Sequence, residues 1–462
     1  MTTNVTLRLV GVAASLVLLP GAAGAATPGQ GASVTTETAV TYAKDVAPII
    51  FANCLVCHQP GQIAPMSFRN YKETRPWARA IKEKVQSREM PPWFADPRYG
   101  TWLNDRQLSQ VQIDAISSWV DAGAPMGEVS DLPELPTFSN AWALGDLGEP
   151  DLVVPMPVTV EVPADGEEGY QQYYVKNELA SDRFIKGIEV RPGNRAAVHH
   201  AVIDMAKLPP CTELDARGQL SSLPDCERDE SGQQFVFSRE SYKLIGYAPG
   251  KGFQRYREGT GKRISPGWYY RFDQHYTPIG NPQVDRTEIG LWFHDRPVET
   301  EMIQKMVSGS GAFIAENTEV VAEDGDRRPR VPNIPPNAGD WKLVATTPFT
   351  EAVTLYALAP HMHLRGKDMK YVLVRPDGSE ETLLSVPNFD FNWQLFYELV
   401  EPIQVEAGSK LMTIGHFDNS IKNRYNPAPD REVYWAEQSW DEMFNGFYEY
   451  SVAMPENLPT EE

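Results

Sequence analysis

The sequence predicts a multidomain protein in which a short all-α module is followed by two all-β domains. The length of 462 residues allows roughly three domains at about 100–200 residues each. Hydrophobic positions recur with helical spacing before residue 127, whereas beyond residue 170 short strand-like runs such as GIEV, IGLWF and VTLYALA are separated by Gly, Pro and Asn clusters. Hydrophobic residues make up 42% of the chain, enough for several cores. The formal net charge of −20 argues against a nucleic-acid partner.

Residues 1–25 have the pattern of an export signal. A single charge, Arg8, precedes the apolar run LVGVAASLVLLP, and the A-x-A sequence that ends at Ala25 follows it. The apolar run is about 12 residues long, and a membrane span needs about 20, so a cleaved signal is favoured over an uncleaved anchor. We predict cleavage after Ala25, a periplasmic or secreted protein, and no membrane span after cleavage.

The segment CLVCH at residues 54–58 is a C-x-x-C-H motif. In this motif Cys54 and Cys57 attach a haem through thioethers, and His58 binds the iron. A zinc pair or a redox disulfide is the rival interpretation, but neither requires the histidine, and the sequence has no second C-x-x-C to complete a zinc site. For the sixth iron ligand we favour Met90, held at a helix end by two following prolines, over Met66 or a plain core role for Met90.

Two helices are predicted around this motif, from Thr74 to Val85 and from about Asp105 to Ala122. The second helix ends at Gly and Pro stop signals. Its predicted apolar stripe consists of Leu108, Val111, Ala115 and Trp119. The region 41–127 resembles a cytochrome c domain, and this resemblance implies a covalent haem c.

The remainder of the chain is predicted to be all-β. Residues 128–170 are acidic and rich in proline, which is typical of a linker with a first edge strand. A break near residues 296–297 separates an N-terminal β domain over 171–296 from a C-terminal β domain over 297–455.

Five of the eight histidines fall into two groups in the β region. Residues i and i+2 of a strand share a face, so His361 and His363 are suited to hold one ion. Adjacent strand residues face opposite ways, so His199 and His200 can bind one ion only at a twist or strand end, with His275 as the available third imidazole. Three imidazoles suit zinc and copper equally well, whereas two imidazoles with a thioether favour Cu(I).

Four motifs in order, VHHAVIDM, DQHYTPIG, HMHLRG and WDEMFNGF, resemble the copper type II, ascorbate-dependent monooxygenases, the family of dopamine beta-monooxygenase and peptidylglycine alpha-hydroxylating monooxygenase. The chain looks like a bacterial branch of that family fused to a cytochrome c domain. The resemblance implies two jelly-roll sandwiches separated by a solvent cleft, and two copper ions. It assigns the electron-storing copper to His199, His200 and His275, and the copper at which oxygen reacts to His361, His363 and Met443.

The sequence departs from the family at two places. Ala359 stands where the peptide-amidating enzymes carry a substrate-binding arginine, which argues against a peptidylglycine substrate. Animal members are rich in disulfides, whereas here only Cys211 and Cys226 remain after haem attachment. We expect these two to pair, in preference to a blue-copper site. His416 is either a partner of a metal ligand or a structural hydrogen-bonding residue.

The predicted function is a copper-dependent monooxygenase that hydroxylates a C–H bond of a small organic substrate with O₂. Inserting one oxygen atom consumes two electrons from outside, which the haem would deliver singly from a periplasmic donor such as a cytochrome, a quinol-linked carrier or an ascorbate-like reductant. The alternative is a haem and copper electron-transfer protein without a substrate. Met443 argues against it, because a relay needs no O₂-reactive soft site. A zinc hydrolase is less favoured, since it leaves the haem without a purpose.

Overall fold

The computed structural model describes residues 39–137, 141–166, 169–208, 212–222, 241–248, 251–296, 298–307, 312–320, 331–436 and 438–453. The predicted export signal over residues 1–25 and the predicted pair Cys211 and Cys226 lie outside these ranges. The chain from Val40 onward groups into one compact unit. In the part of the chain that the structure describes, no helix has both the length and the apolar character needed to cross a bilayer.

Short helices dominate the N-terminal part. Capping side chains fix two of them: the Asn70 side chain accepts the Glu73 N–H at 3.1 Å, and Ser109 forms a capping box with Gln112. Val111 is 78% exposed, so the predicted stripe on the last helix is wrong at this position. The helix bounds are a π-helical turn at Tyr42–Val46, α1 at Ala47–Asn53, α2 at Tyr71–Thr74, a 3₁₀ turn at Arg75–Trp77, α3 at Ala78–Gln86 and α4 at Gln110–Asp121, where Ile113, Ile116 and Trp119 are buried.

The prediction of a separate all-α cytochrome c domain is wrong. Strands account for 40% of the structure and helices for only 13%. The segment between α3 and α4 packs into the C-terminal β core through Trp93, Ala95 and Trp102. Its backbone pairs with the same region, since the Asp96 N–H donates to the Ser385 carbonyl at 2.8 Å. Local periodicity predicted a self-contained helical module, but these nonlocal contacts join the helices to the β region.

The strands fall into two groups along the chain. The N-terminal group consists of β1 Leu152–Pro155, β2 Val160–Val162, β3 Gly169–Lys176, β4 Arg183–Arg191, β5 Val198–Ala206, β6 Thr212–Leu214, β7 Leu220–Ser222, β8 Ser241–Tyr247, β9 Phe253–Arg255, β10 Thr260–Ile264, β11 Tyr269–Tyr276, β12 Gln283–Asp285 and β13 Glu288–Phe293. The C-terminal group consists of β14 Thr300–Met306, β15 Ala312–Ala315, β16 Thr318–Val320, β17 Trp341–Pro348, β18 Val353–His361, β19 Gly366–Val374, β20 Glu380–Val386, β21 Tyr397–Val405, β22 Lys410–Phe417 and β23 Asn445–Ala453.

One long sheet runs through both groups in the order β1-β13-β4-β10-β14-β23-β18-β21, with β9 beside β4. The four-stranded sheet β3-β11-β5-β8 shares one hydrophobic core with the first half of the long sheet. The six-stranded sheet β16-β15-β17-β22-β19-β20 shares a second core with the other half. The β-rich part therefore fits two jelly-roll sandwiches. They are joined where β10 pairs in parallel with β14.

The faces that turn away from these cores meet each other. On β5, Val198, Ala201 and Ile203 contribute to the N-terminal core, which leaves the alternate side chains on the other face. On β23, Tyr448 contributes to the C-terminal core, whereas Glu449 on the opposite face forms a buried ion pair with Lys262 of β10. The outward face of β23 therefore lies against the N-terminal sandwich.

Candidate metal centres

A β-bulge brings the adjacent histidines to one side of the N-terminal four-stranded sheet. Strand β11 pairs His275 with His200 and Tyr276 with Val198, so His199 is an extra residue without a partner position on β11. A bulge of this kind redirects a side chain that the strand period would turn away. This irregularity supplies the strand distortion that two adjacent ligands require.

The three imidazoles form a compact cluster. One nitrogen from each of His199, His200 and His275 lies within 4.8 Å of the others. Burial, with a smaller contribution from the neighbouring histidines, lowers the pKa of His200 well below its usual value. His200 Nε2 is buried and lacks a hydrogen-bond partner among the described atoms. A neutral imidazole with an unused lone pair is the form that binds a metal ion.

The second cluster lies at the end of β18 and the start of β23. The rings of His361 and His363 are 5.2 Å apart between centroids, and His361 Nε2 lies 3.3 Å from the sulfur of Met443. Burial lowers the pKa of His361 to about 3 and that of His363 to about 4. The structure therefore brings two neutral imidazoles and a thioether together, a donor set that suits Cu(I).

Hydrogen bonds orient both imidazoles of this cluster. His361 donates from Nδ1 to the side-chain oxygen of Gln394, and His363 donates from Nδ1 to the Asp441 carbonyl at 3.3 Å. Since these oxygens only accept, both rings carry their proton on Nδ1, and each Nε2 keeps its lone pair. Gln394 was not identified from the sequence, because it lies 33 residues from its partner and belongs to no motif.

A buried carboxyl group ties the two halves of this cluster together. Glu442 is fully buried and accepts backbone N–H groups from His363 at 2.8 Å, Arg365 at 2.6 Å and Met443 at 3.3 Å. Burial raises the pKa of Glu442 to about 8, against the lowering effect of these hydrogen bonds. The motif WDEMFNGF contains this residue, but only the structure reveals that it links the His-x-His segment to Met443.

The two clusters face each other across the contact between the sandwiches. Phe447 on β23 lies 6.1 Å from His361 between ring centroids, and the ammonium of Lys243 on β8 lies 4.4 Å from the Phe447 ring. The charge of Lys243 is among the smaller causes that lower the pKa values of both His200 and His361, after burial. Lys243 therefore lies near both clusters, although it belongs to none of the sequence motifs.

The C-x-x-C-H segment forms a tight turn after α1. The backbone N–H groups of Cys57 and His58 both donate to the Cys54 carbonyl, at 3.1 and 2.9 Å, so the three residues of the motif share one turn. Both thiols are free, and burial raises the pKa of Cys54 to about 12. Met66 packs against the same core as Cys54, whereas Met90 lines a small cavity with residues of α3 and α4. The described residues do not form a haem-binding cytochrome fold.

His416 has a structural partner. Its Nδ1 lies 2.7 Å from a carboxylate oxygen of Asp368 on the neighbouring strand β19, within the six-stranded sheet. Ala359 lies on β18 opposite Phe447 of β23. Ala359, the position predicted to correspond to the substrate-binding arginine of the peptide-amidating enzymes, therefore has an aromatic neighbour. The ammonium of Lys243 lies over that Phe447 ring.

Two clusters of imidazoles, one with a thioether, in a mainly β protein define a candidate two-site metalloprotein. Residues 332–457 match the family model described as "Copper type II ascorbate-dependent monooxygenase, C-terminal domain". The match contains His361, His363 and Met443, and it confirms the predicted resemblance for this domain. Residues 332–457 are therefore similar to the C-terminal domain of a copper-dependent monooxygenase, an oxidoreductase that acts with O₂. The predicted roles of individual residues stay predictions.

Comparisons with other proteins add little. No curated protein matches the chain. Similar solved structures include a xanthan lyase of Paenibacillus, with 10% identity, a TM-score of 0.18 and coverage of 66% of this chain and 26% of that chain. Infectious bursal disease virus Gx strain has 9% identity and a TM-score of 0.18, with coverage of 66% of this chain and 73% of that chain. The tandem CBM22 domains of Xyn10C from Paenibacillus barcinonensis have 12% identity and a TM-score of 0.16, with coverage of 64% of this chain and 82% of that chain. The chain spans about a quarter of the xanthan lyase chain. Likeness at these TM-scores carries no argument about fold or function.

Proposed function

We propose that the chain is an exported monooxygenase with two copper sites that hydroxylates a C–H bond of a small organic substrate, with electrons delivered through a covalent haem c. The observation that carries this proposal is the pairing of two unlike clusters: three imidazoles in one sandwich, and two imidazoles with a thioether in the other. Different donor sets suit different tasks, because the softer set favours the reduced ion.

His361, His363 and Met443 would hold the copper at which oxygen reacts. Bound copper supplies one-electron redox chemistry and the reaction with O₂. The protein holds the two imidazoles neutral by burial and fixes their orientation through Gln394 and the Asp441 carbonyl. These contacts reduce the reorganisation needed when the ion binds or changes its oxidation state.

His199, His200 and His275 would hold the electron-storing copper. The bulge on β5 keeps the three rings on one side of the sheet, and the burial of His200 keeps its ring neutral. Conversion of a C–H group and O₂ to an alcohol and water consumes two electrons and two protons. One electron can come from each site, so both sites must be reduced for each turnover.

Cys54, Cys57 and His58 would carry the haem c. The support is the chemistry of the donor set: two free thiols three residues apart and an adjacent imidazole, all in one turn. The haem proposal does not depend on a cytochrome c fold. Protein made with a cytochrome maturation system should show a covalent c-type absorption spectrum, which Cys54→Ser with Cys57→Ser should abolish and Cys211→Ser should leave intact. A matured wild type without haem would refute this part.

The sixth iron ligand is tested separately. We expect Met90→Ala to change the low-spin spectrum and Met66→Ala to leave it unchanged. The opposite result would assign the ligand to Met66, which packs against the same core as Cys54.

Oxygen consumption tests the activity. We expect copper-loaded, ascorbate-reduced protein to form about one product per O₂ with a good substrate from a panel of C–H compounds, since each O₂ gives one oxygen atom to the product and the other to water. Met443→His should keep copper but lose most hydroxylation, because imidazole favours Cu(II). Met412→His, on β22, is the matched control and should remain active. A wild type without substrate-coupled O₂ consumption would favour the electron-relay alternative.

Export is tested by fractionation. The N-terminal pattern of Arg8, the apolar run and Ala25 supports secretion to the periplasm or medium. We expect the mature protein to begin at Ala26 when its N-terminus is sequenced from the periplasmic or extracellular fraction. Recovery of uncleaved protein in the cytoplasm alone would contradict this.

A further inference from the structure

Two lysines of the N-terminal sandwich face the outward row of β23, and their surroundings differ. Lys262 of β10 is buried and ion-paired with Glu449, at 3.2 Å. The ammonium of Lys243 lies over the ring of Phe447, two residues earlier on β23, and makes no ion pair or hydrogen bond with the described residues. One cation of this face therefore has a carboxylate partner and the other does not.

The carboxylate opposite Lys243 in the sheet already has an ion-pair partner. Asp204 lies opposite Lys243 in the β5–β8 register, but its side chain is ion-paired with Arg271 of β11. The Phe447 ring attracts the ammonium but cannot accept its N–H donors in the way that an oxygen does. Burial lowers the pKa of Lys243 against the raising effect of the Asp204 and Asp273 charges, which means that its charged form lacks full solvation. A partly desolvated cation without an acceptor favours an anionic ligand.

The position of Lys243 connects it with the candidate oxygen-reactive site. The Phe447 ring lies 4.4 Å from the Lys243 ammonium and 6.1 Å from the His361 ring, and Phe447 is the strand partner of Ala359. The charge of Lys243 contributes to lowering the pKa of His200 as well as that of His361, so the lysine lies near both clusters. A substrate held at the His361 cluster would therefore have its far end near this ammonium.

We infer that Lys243 binds a carboxylate group of the substrate, and hence that the substrates are small organic acids. This inference rests on the proposed function for the location of the reacting C–H bond. The lysine comes from the N-terminal sandwich and the candidate metal ligands from the C-terminal sandwich. Contact between the two sandwiches therefore completes the substrate site.

Calorimetric binding tests the inference without turnover. The probes are three acid and amide pairs of increasing size: acetate, butyrate and phenylacetate with acetamide, butyramide and phenylacetamide. We expect wild type, both metal-free and copper-loaded under anaerobic reducing conditions, to bind at least one acid about tenfold more tightly than its amide. Lys243→Met should remove that preference. Lys243→Arg should retain it, which would show that a substitution at this position does not abolish binding through misfolding. Lys305→Met, an exposed lysine over Tyr450, is the matched control and should behave as wild type.

The outcomes separate this inference from the proposed function. If no acid binds more tightly than its amide, or if Lys243→Met keeps the preference, the inference is wrong even when the enzyme hydroxylates other substrates. If the preference is present and depends on Lys243 but copper does not bind, the anion site stands and the proposed function fails. The KM for ascorbate is measured in parallel. A change confined to this KM would mean that Lys243 binds the reductant, which also overturns the inference.

Discussion

Replacement of Glu442 by Gln tests whether one buried side chain organises the candidate oxygen-reactive site. One oxygen of Glu442 accepts the N–H groups of His363 and Met443, and the other accepts the N–H of Arg365. Glutamine has nearly the same shape but offers only one oxygen, and its NH₂ group must face at least one of these N–H donors. The variant therefore loses one or two hydrogen bonds at the point where the His-x-His segment meets the methionine.

The size of the effect follows from these contacts. A buried donor left without an acceptor costs about 1–3 kcal/mol, so we expect Glu442→Gln to lower the free energy of unfolding by about that amount. Loss of a group that orients metal ligands typically weakens metal binding by about 10–100-fold. Copper affinity should fall by this factor at the site of His361, His363 and Met443 only.

The assay combines urea unfolding with copper titration against a competing chelator. Glu189→Gln is the matched control, because Glu189 is also buried and accepts backbone N–H groups, from Leu144 and Ala143, far from either cluster along the sequence. The control should lose stability but keep both copper affinities. If Glu442→Gln binds copper at the second site within twofold of wild type and unfolds at the same urea concentration, the proposed role of Glu442 is wrong.

Three further outcomes are expected. The native pKa values of His361 and His363, about 3 and about 4, lie below the unfolded value, so the unfolded chain binds more protons in acid and metal-free protein loses stability as the pH falls below about 6.5. Between pH 7.5 and 5 the two histidines should together account for a loss of about 4 kcal/mol in the free energy of unfolding. Urea unfolding at both pH values measures this loss, which a variant with both histidines replaced by Phe should lack. An equal loss in that variant would contradict the prediction. Lys262→Met should cost about 3–5 kcal/mol in urea unfolding by leaving Glu449 buried and unpaired, and a loss under 1 kcal/mol would contradict the burial of that ion pair. Met443→Leu should keep the three-His copper but remove the sulfur ligand from the copper X-ray absorption spectrum of the reduced protein. If that spectrum still shows a copper–sulfur contact, the thioether ligand is a different residue.

The N-terminal cluster illustrates what local sequence can and cannot predict. The strand period correctly requires a distortion if His199 and His200 are to share one ion. The distortion itself is a bulge set by the register between β5 and β11, where His275 pairs with His200 and Tyr276 with Val198. Register depends on contacts between strands that are about 70 residues apart in sequence. The local pattern around His199 and His200 does not specify these contacts.

The incorrect all-α domain has a related cause. Helical periodicity correctly indicated helices near residues 74–85 and 110–121, because these signals are local. The aromatic segment between the helices gave no local signal of its destination. Trp93 and Trp102 pack against Tyr397 of β21, which lies about 300 residues away. A motif such as C-x-x-C-H identifies a chemical possibility without specifying the fold around it.

Buried polar residues were the features least accessible from sequence. Gln394 and Lys243 belong to none of the four motifs, and Glu442 lies within WDEMFNGF without a predicted role. An acidic, amide or basic residue is usually a solvated surface group, so its type alone does not indicate a buried role. Their roles arise from the backbone amides, the imidazole and the aromatic ring that tertiary structure brings to them. Candidate metal-ligating histidines are easier to find because their spacing within a strand is itself informative.

The number of copper ions per chain, counted by native mass spectrometry, tests whether the protein has two separate copper sites. We expect two coppers in wild type, one in His275→Ala, one in His363→Ala, and none in the double variant. The two single variants should differ in which ion remains, with a sulfur ligand only in His275→Ala. A wild type that binds one copper, or a single variant that loses both, would contradict the account of two separate sites.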